Sequence, residues 1–166
     1  MSGRELVSEM QLLLRLLDEA YSRKTWHGAN LKGSLRGLTA RKAAWRPGPK
    51  RHNIWELAVH AAYWKYAGLR HLSRGKDIRF ALEGSNWFPR PEGSPGEAAW
   101  KADLRLLGDV HQELRRAVAA LSDRDLERVP EGRKTRTIDI VLGLARHDIY
   151  HAGQIQLLKR LHRSGQ

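Results

Sequence analysis

Apolar residues recur every three or four positions along four stretches of this chain, and no run alternates strictly with polar residues as a strand would. That pattern excludes a sheet-based fold and predicts long amphipathic helices packed on one another. The first is expected to start at Ser2, with Glu5 three residues on in capping-box spacing, and to turn Leu6, Met10, Leu13, Leu14, Leu17 and Tyr21 inward. "TWHGANLKGSLRGL" follows, where Gly28, Gly33 and Gly37 weaken any long helix, and "TARKAAWRPGPKRHN" reads as a short helical turn broken by Pro47 and Pro49. Asn53 and Glu56 repeat the capping-box spacing and open a second long helix to about Ser73. The irregular "EGSNWFPRPEGSPGE" leads to a third, with Ser94 as cap, Pro95 at its first position and Glu97 at its third. That helix carries Trp100, Leu104, Leu107, His111, Leu114, Val118 and Leu121, and "SDRD" ends it. The last runs from about Thr137 to Arg163.

The expected architecture is therefore all-α: a four-helix bundle with short extra helices in its connections, as one domain over residues 1–166. The long linkers after the first and second long helices argue against a simple up-down-up-down order. At 166 residues the chain is long enough for a real core. It has no cysteine, which removes disulfides, thiolate ligands and a cysteine nucleophile. Its start has charges on both sides of a short apolar stretch and does not read as a signal peptide. No apolar run approaches the roughly 20 residues that span a bilayer, so a cytoplasmic protein without membrane contact is expected. Thirty Lys and Arg against 18 Asp and Glu give a net charge of +12, which favours anionic partners without naming one.

The chemistry concentrates in "RHDIYHAGQIQLLKRL", residues 146–161. With His147 at zero and about 100° per residue, His151 falls near about 40°, Ile140 and Leu158 near about 20°, and Ile155 near about 80°. Two histidines thus sit one turn apart on the apolar face. Burying an unpartnered imidazole costs roughly 1–3 kcal/mol, so two together call for a common cause. One cause is a divalent metal, since an i, i+4 pair aims two ring nitrogens at one ion. The other is a pair of core histidines bonded to backbone, water or a carboxylate. His60 shares a stripe with Leu57, Ala61, Trp64 and Ala67 near the middle of another helix and supplies a third candidate ligand. His71 lies about 16 Å further along the same axis and cannot join it.

Other residues remain open at this level. Glu56 reads first as part of the Asn53 capping box, and otherwise as a fourth ligand or an acceptor for a ligand's ring nitrogen. Gln154, Tyr150 and Asp148 lie beside the pair and can orient a ring or assist a proton. His111 occupies a core position and reads as structural, or as part of a substrate pocket with Trp64. His52 looks superficial, and His162 reads as a solvated cation at a helix end.

"WHGANL", "AAWRPGPKRHNIWELAVHAAYW" and "RHDIYHAGQIQLLKRL", in this order and spacing, resemble the DinB-like superfamily of bacterial four-helix-bundle proteins. The resemblance implies a divalent metal held by His60, His147 and His151. The "WHG" segment belongs to it too, and places His27 and Trp26 as candidates for the pocket's mouth. It further implies a metal-dependent enzyme, either a transferase using a low-molecular-weight thiol or a hydrolase, acting on a small molecule. Zinc or nickel is the expected ion, while imidazole suits copper and iron as well and does not by itself identify the metal. Two other classes stay open from the residues alone. One is a basic nucleic-acid-binding helical protein, from "RKTR", "RPGPKR" and stacking by Trp45 or Trp87. The other is a non-catalytic metal-binding scaffold. A homodimer through an exposed apolar helix face is also expected of such a bundle.

Overall fold

A computed structural model describes residues 8–73, 77–90 and 96–164. All regular structure among them is helical: α1 (Glu9–Tyr21), α2 (Leu31–Leu35), α3 (Ala40–Ala44), α4 (Ile54–Leu72), α5 (Glu97–Ala119), α6 (Asp123–Glu127) and α7 (Thr137–Ser164). The four long helices are those the periodicity marks, and the three short ones occupy the connections. None of the described helices is long and apolar enough to cross a membrane.

Each start has a local cause. Ser8 caps α1 and forms a reciprocal box with Gln11, its Oγ accepting from the Gln11 amide at 3.2 Å. Ser2, Glu5 and Leu6 lie outside the described residues, and the cap observed is Ser8. Asn30 caps α2, and the missing side chain of Gly33 makes this possible, because a Cβ there would sit 2.9 Å from Asn30 Oδ1. The Asn53–Glu56 box opens α4 as expected. Ser94 and Pro95 lie outside the described residues, and the residue that caps α5 is Gly96, in extended conformation and without a side-chain bond. Glu97 closes no box there. Its Oε1 accepts from the Ala40 amide at 2.7 Å and ties α3 to the start of α5. "SDRD" does more than stop α5: Ser122 and Asp125 form a capping box that begins α6.

The helix α4 packs mainly against α5 and also against α7, while α1 lies on α7 and touches α5. One cluster gathers Leu31, Leu35, Trp55, Val59, Trp100, Leu107 and Ile155; the other gathers Leu13, Leu17, Leu69, Leu114, Val118 and Leu144. Burying one such side chain is worth about 1.5–3 kcal/mol. Two buried indoles are satisfied: Trp55 Nε1 donates to Asp103 Oδ2 at 2.6 Å, and Trp100 Nε1 donates to the Leu38 carbonyl at 2.9 Å. Where α4 meets α7 the helices approach closely. A Cβ on Gly68 would lie 2.4 Å from Leu144 Cδ1, so glycine admits Leu144 and sets the spacing near the inward-facing histidines.

Candidate metal centre

The spacing of α4 and α7 brings His60, His147 and His151 together. His147 Nε2 lies 3.2 Å from His60 Nε2 and 3.0 Å from His151 Nε2, and one nitrogen of each ring falls within 4.8 Å of the others. His60 and His151 are buried and His147 is half-buried. The outer nitrogens of two rings are already used. His60 Nδ1 donates to the Asn86 carbonyl at 2.8 Å, and His151 Nδ1 donates to Gln154 Oε1 at 2.6 Å. Both acceptors demand a proton on Nδ1, which leaves the Nε2 lone pairs of neutral His60 and His151 facing His147. One hydrogen on His147 Nε2 satisfies at most one of them.

Burial keeps all three rings neutral. It lowers His60 below the ordinary histidine range, and pushes His147 down to about 3 and His151 down to about 4, with the neighbouring imidazoles adding to the effect. Converging lone pairs on neutral imidazoles are the donor set a divalent cation takes. The two short separations, 3.2 and 3.0 Å, lie near what a shared ion needs, since metal–nitrogen bonds of about 2.0–2.1 Å put tetrahedral ligand atoms about 3.3–3.4 Å apart. The three histidines can hold a metal ion, and three neutral ligands would leave its charge undiminished.

Loop residues complete the arrangement. Asn86 adopts a left-handed backbone, φ +63°, which Asn tolerates better than most residues. In this conformation its carbonyl reaches His60 while its Oδ1 accepts from Trp64 Nε1 at 3.0 Å. Trp87 lies flat between two imidazoles, its ring centroid 3.8 Å from that of His60 and 3.6 Å from that of His52. His52 Nδ1 donates to Glu56 Oε2 at 3.0 Å. Asn86 and Trp87 sit in an irregular connection, and periodicity carries no information about such contacts; the left-handed preference of Asn was the only hint.

The cluster opens onto a cleft of about 1090 Å³, walled by Trp64, Trp87, Tyr150, Leu157, Leu158 and Leu161 and bordered by Pro47, Arg51 and His52. Among the described residues no carboxylate lines it. Gln154 lines it as well, and its Nε2 donates to the Tyr150 hydroxyl at 3.1 Å, so Tyr150, Gln154 and His151 form one chain.

The remaining candidates lie elsewhere. Glu56 stays in the capping box and takes both guanidinium nitrogens of Arg46, at 2.8 and 3.0 Å. Burial alone would raise its pKa, but the bonds from Arg46 and His52 hold it below the usual carboxylate range. It is not among the cleft-lining residues. His111 is buried against Tyr21, with ring centroids 3.8 Å apart, away from the cleft. Trp26 is 97% exposed, and His27 borders a separate groove between α1 and α7. Asp148 points away from its neighbour His147 to meet Lys65. His52 is a wall of the cleft rather than a merely superficial residue, and His162 stacks on Trp45 at 4.9 Å rather than standing free in solvent.

An all-helical bundle that converges three neutral imidazoles at the floor of an open cleft defines a candidate metal-binding bundle protein. The family model of the DinB superfamily matches residues 23–155, and the chain belongs to that superfamily. The match takes in α2 to α6, most of α7 and all three histidines. Among curated proteins and solved structures, none matches the chain.

Proposed function

We propose that this protein is a metal-dependent enzyme acting on a small molecule, with one divalent ion, zinc or nickel, held by Nε2 of His60, His147 and His151. The observation that carries this reading is the convergence of the three nitrogens, 3.0 and 3.2 Å apart, beside a cleft of about 1090 Å³. An ion held there supplies Lewis acidity, lowering the pKa of a water or a thiol, which suits hydrolysis or transfer of a low-molecular-weight thiol.

The chain's own residues supply the rest. Trp64, Leu157 and Leu158 give the substrate an apolar wall, and Arg51 places a cation at the border for an anionic group. Gln154 and the Asn86 carbonyl fix two ligand rings in the tautomer that presents Nε2. His52 is the one imidazole lining the cleft outside the cluster, and Glu56 orients it through Nδ1. Because Trp87 lies between His52 and His60, His52 Nε2 takes the proton released as the nucleophile forms through a bridging water. The same reading places the protein in the cytoplasm.

The test is a screen of activated esters, amides, epoxides and alkyl halides, with and without small thiols, before and after chelation. Turnover lost on chelation and restored by metal is expected. His52→Gln should slow turnover at least tenfold while keeping the bound metal. Turnover indifferent to chelation would contradict the reading.

A further inference from the structure

His147 and Trp64 border two spaces. Besides the large cleft they line a second cavity of about 230 Å³, in the groove between α4 and α7. Gly68, Ile140, Gly143 and Leu144 line its apolar part, while Arg133 and Thr135 contribute polar groups from the connection before α7. A Cβ built on Gly143 would meet nothing within 4 Å, so the groove is open beside this residue.

Its charge is one-sided. Among the described residues no Asp or Glu lines it, and Arg133 bonds there to His71 alone. Burial and the adjacent Arg133 keep the His71 ring below its ordinary pKa, so it accepts a hydrogen without cancelling the guanidinium charge. The remaining guanidinium donors form a fork suited to a carboxylate. The volume falls below the roughly 300–1,000 Å³ of sites for drug-sized ligands, which selects a short chain.

We propose that this groove is a second binding site, for a small carboxylate with a short apolar chain. The carboxylate sits on Arg133 and Thr135, and the chain runs along Ile140 and Leu144 toward Trp64 and His147. The proposal deepens the metal reading, since the occupant's far end reaches the histidine cluster from a second side; binding in the groove itself needs no metal.

The experiment is calorimetric titration of the full-length protein with hexanoate, as purified and again after EDTA. Binding should survive EDTA, weaken at least tenfold in Arg133→Gln, and vanish in Gly143→Leu, which fills the groove with a good helix former. Arg51→Gln, in the other cleft, should bind as wild type does, and hexan-1-ol should bind at least tenfold more weakly than hexanoate. Should Gly143→Leu fail to fold, Gly143→Ala and Arg133→Gln carry the test. Failure of wild type to bind, or indifference to Arg133→Gln, overturns the proposal, as does loss in Arg51→Gln. Binding that disappears with EDTA and ignores Arg133 puts the carboxylate on the ion, which overturns the groove while supporting the metal reading.

Discussion

Lys65 of α4 and Asp148 of α7 form an ion pair sealed in the bundle, each side chain 1% exposed. Burial pushes the Asp148 carboxyl up against the pull of Lys65, and its Oδ1 has no hydrogen-bond partner among the described residues. The pair joins the two helices that carry the histidines, with Asp148 next to His147. Removing one partner strands the other charge, so Lys65→Ala or Asp148→Ala should destabilise the fold by about 3–5 kcal/mol. The double replacement Lys65→Met with Asp148→Leu should recover most of that. Denaturant unfolding of the three variants checks it; a double variant no more stable than the singles would contradict it.

Gln154 holds His151 through its carbonyl and, among the described residues, is itself bonded to Tyr150 and to no carboxylate. Gln154→Leu should weaken metal affinity by about 10–100-fold without changing the fold, as losses of ligand-orienting partners do. Tyr150→Phe, one bond further out, should weaken it less. Competition against a chromophoric chelator measures both, and equal effects would argue against the chain of bonds.

Asn86 acts on His60 through backbone, so the effect of a substitution follows its φ and not its side-chain polarity. Asn86→Gly keeps the left-handed geometry and the carbonyl, and should retain metal within a few-fold. Asn86→Val strains that geometry by about 1–2 kcal/mol and should move the acceptor away from Nδ1. Metal affinity and melting temperature should both fall in the second variant. A valine variant that keeps both would show that the loop does not set the ring.

His111 gives the fold a pH dependence of its own. Burial pushes its pKa down to about 3, helped by Lys65 and Arg115 and opposed by Asp18, while Tyr21 stacks on the ring without charge, its own pKa pushed up to about 12. The unfolded chain protonates this histidine below about 6.5 and the folded chain does not. Stability from this group is therefore complete above pH about 6.5 and declines as pH falls toward 3, with a limiting slope of about 1.4 kcal/mol per pH unit. His111→Leu should show a shallower fall in unfolding free energy between pH 7 and 5 than wild type. Parallel curves would contradict this.

How much of this was legible follows from which contacts are periodic. His60, His147 and His151 lie on stripes of regular helices, so spacing alone brought them to one side of each helix, and α4 and α7 bring them together. Asn86 and Trp87 come from a connection with no period, and His52 precedes a helix, so their stacking and bonding were hidden. The "WHG" segment shows the reverse: its sequence is distinctive, yet Trp26 projects into solvent and His27 borders another groove. Lys65 was hidden for a further reason, because its partner is 83 positions away and a lysine at a core position looks like an error in the pattern. At the start of α5 Ser94 lies outside the described residues; the cap is Gly96, and Glu97 accepts from the Ala40 amide, a contact 57 positions away that no local pattern announces.

Whether the three converging imidazoles hold a metal is read by elemental analysis of protein purified without a polyhistidine tag. About one divalent ion per chain is expected in wild type and in His111→Leu, and its loss in both His60→Ala and His147→Ala. A metal-free wild type under metal-replete growth, or an ion retained by both alanine variants, would contradict it.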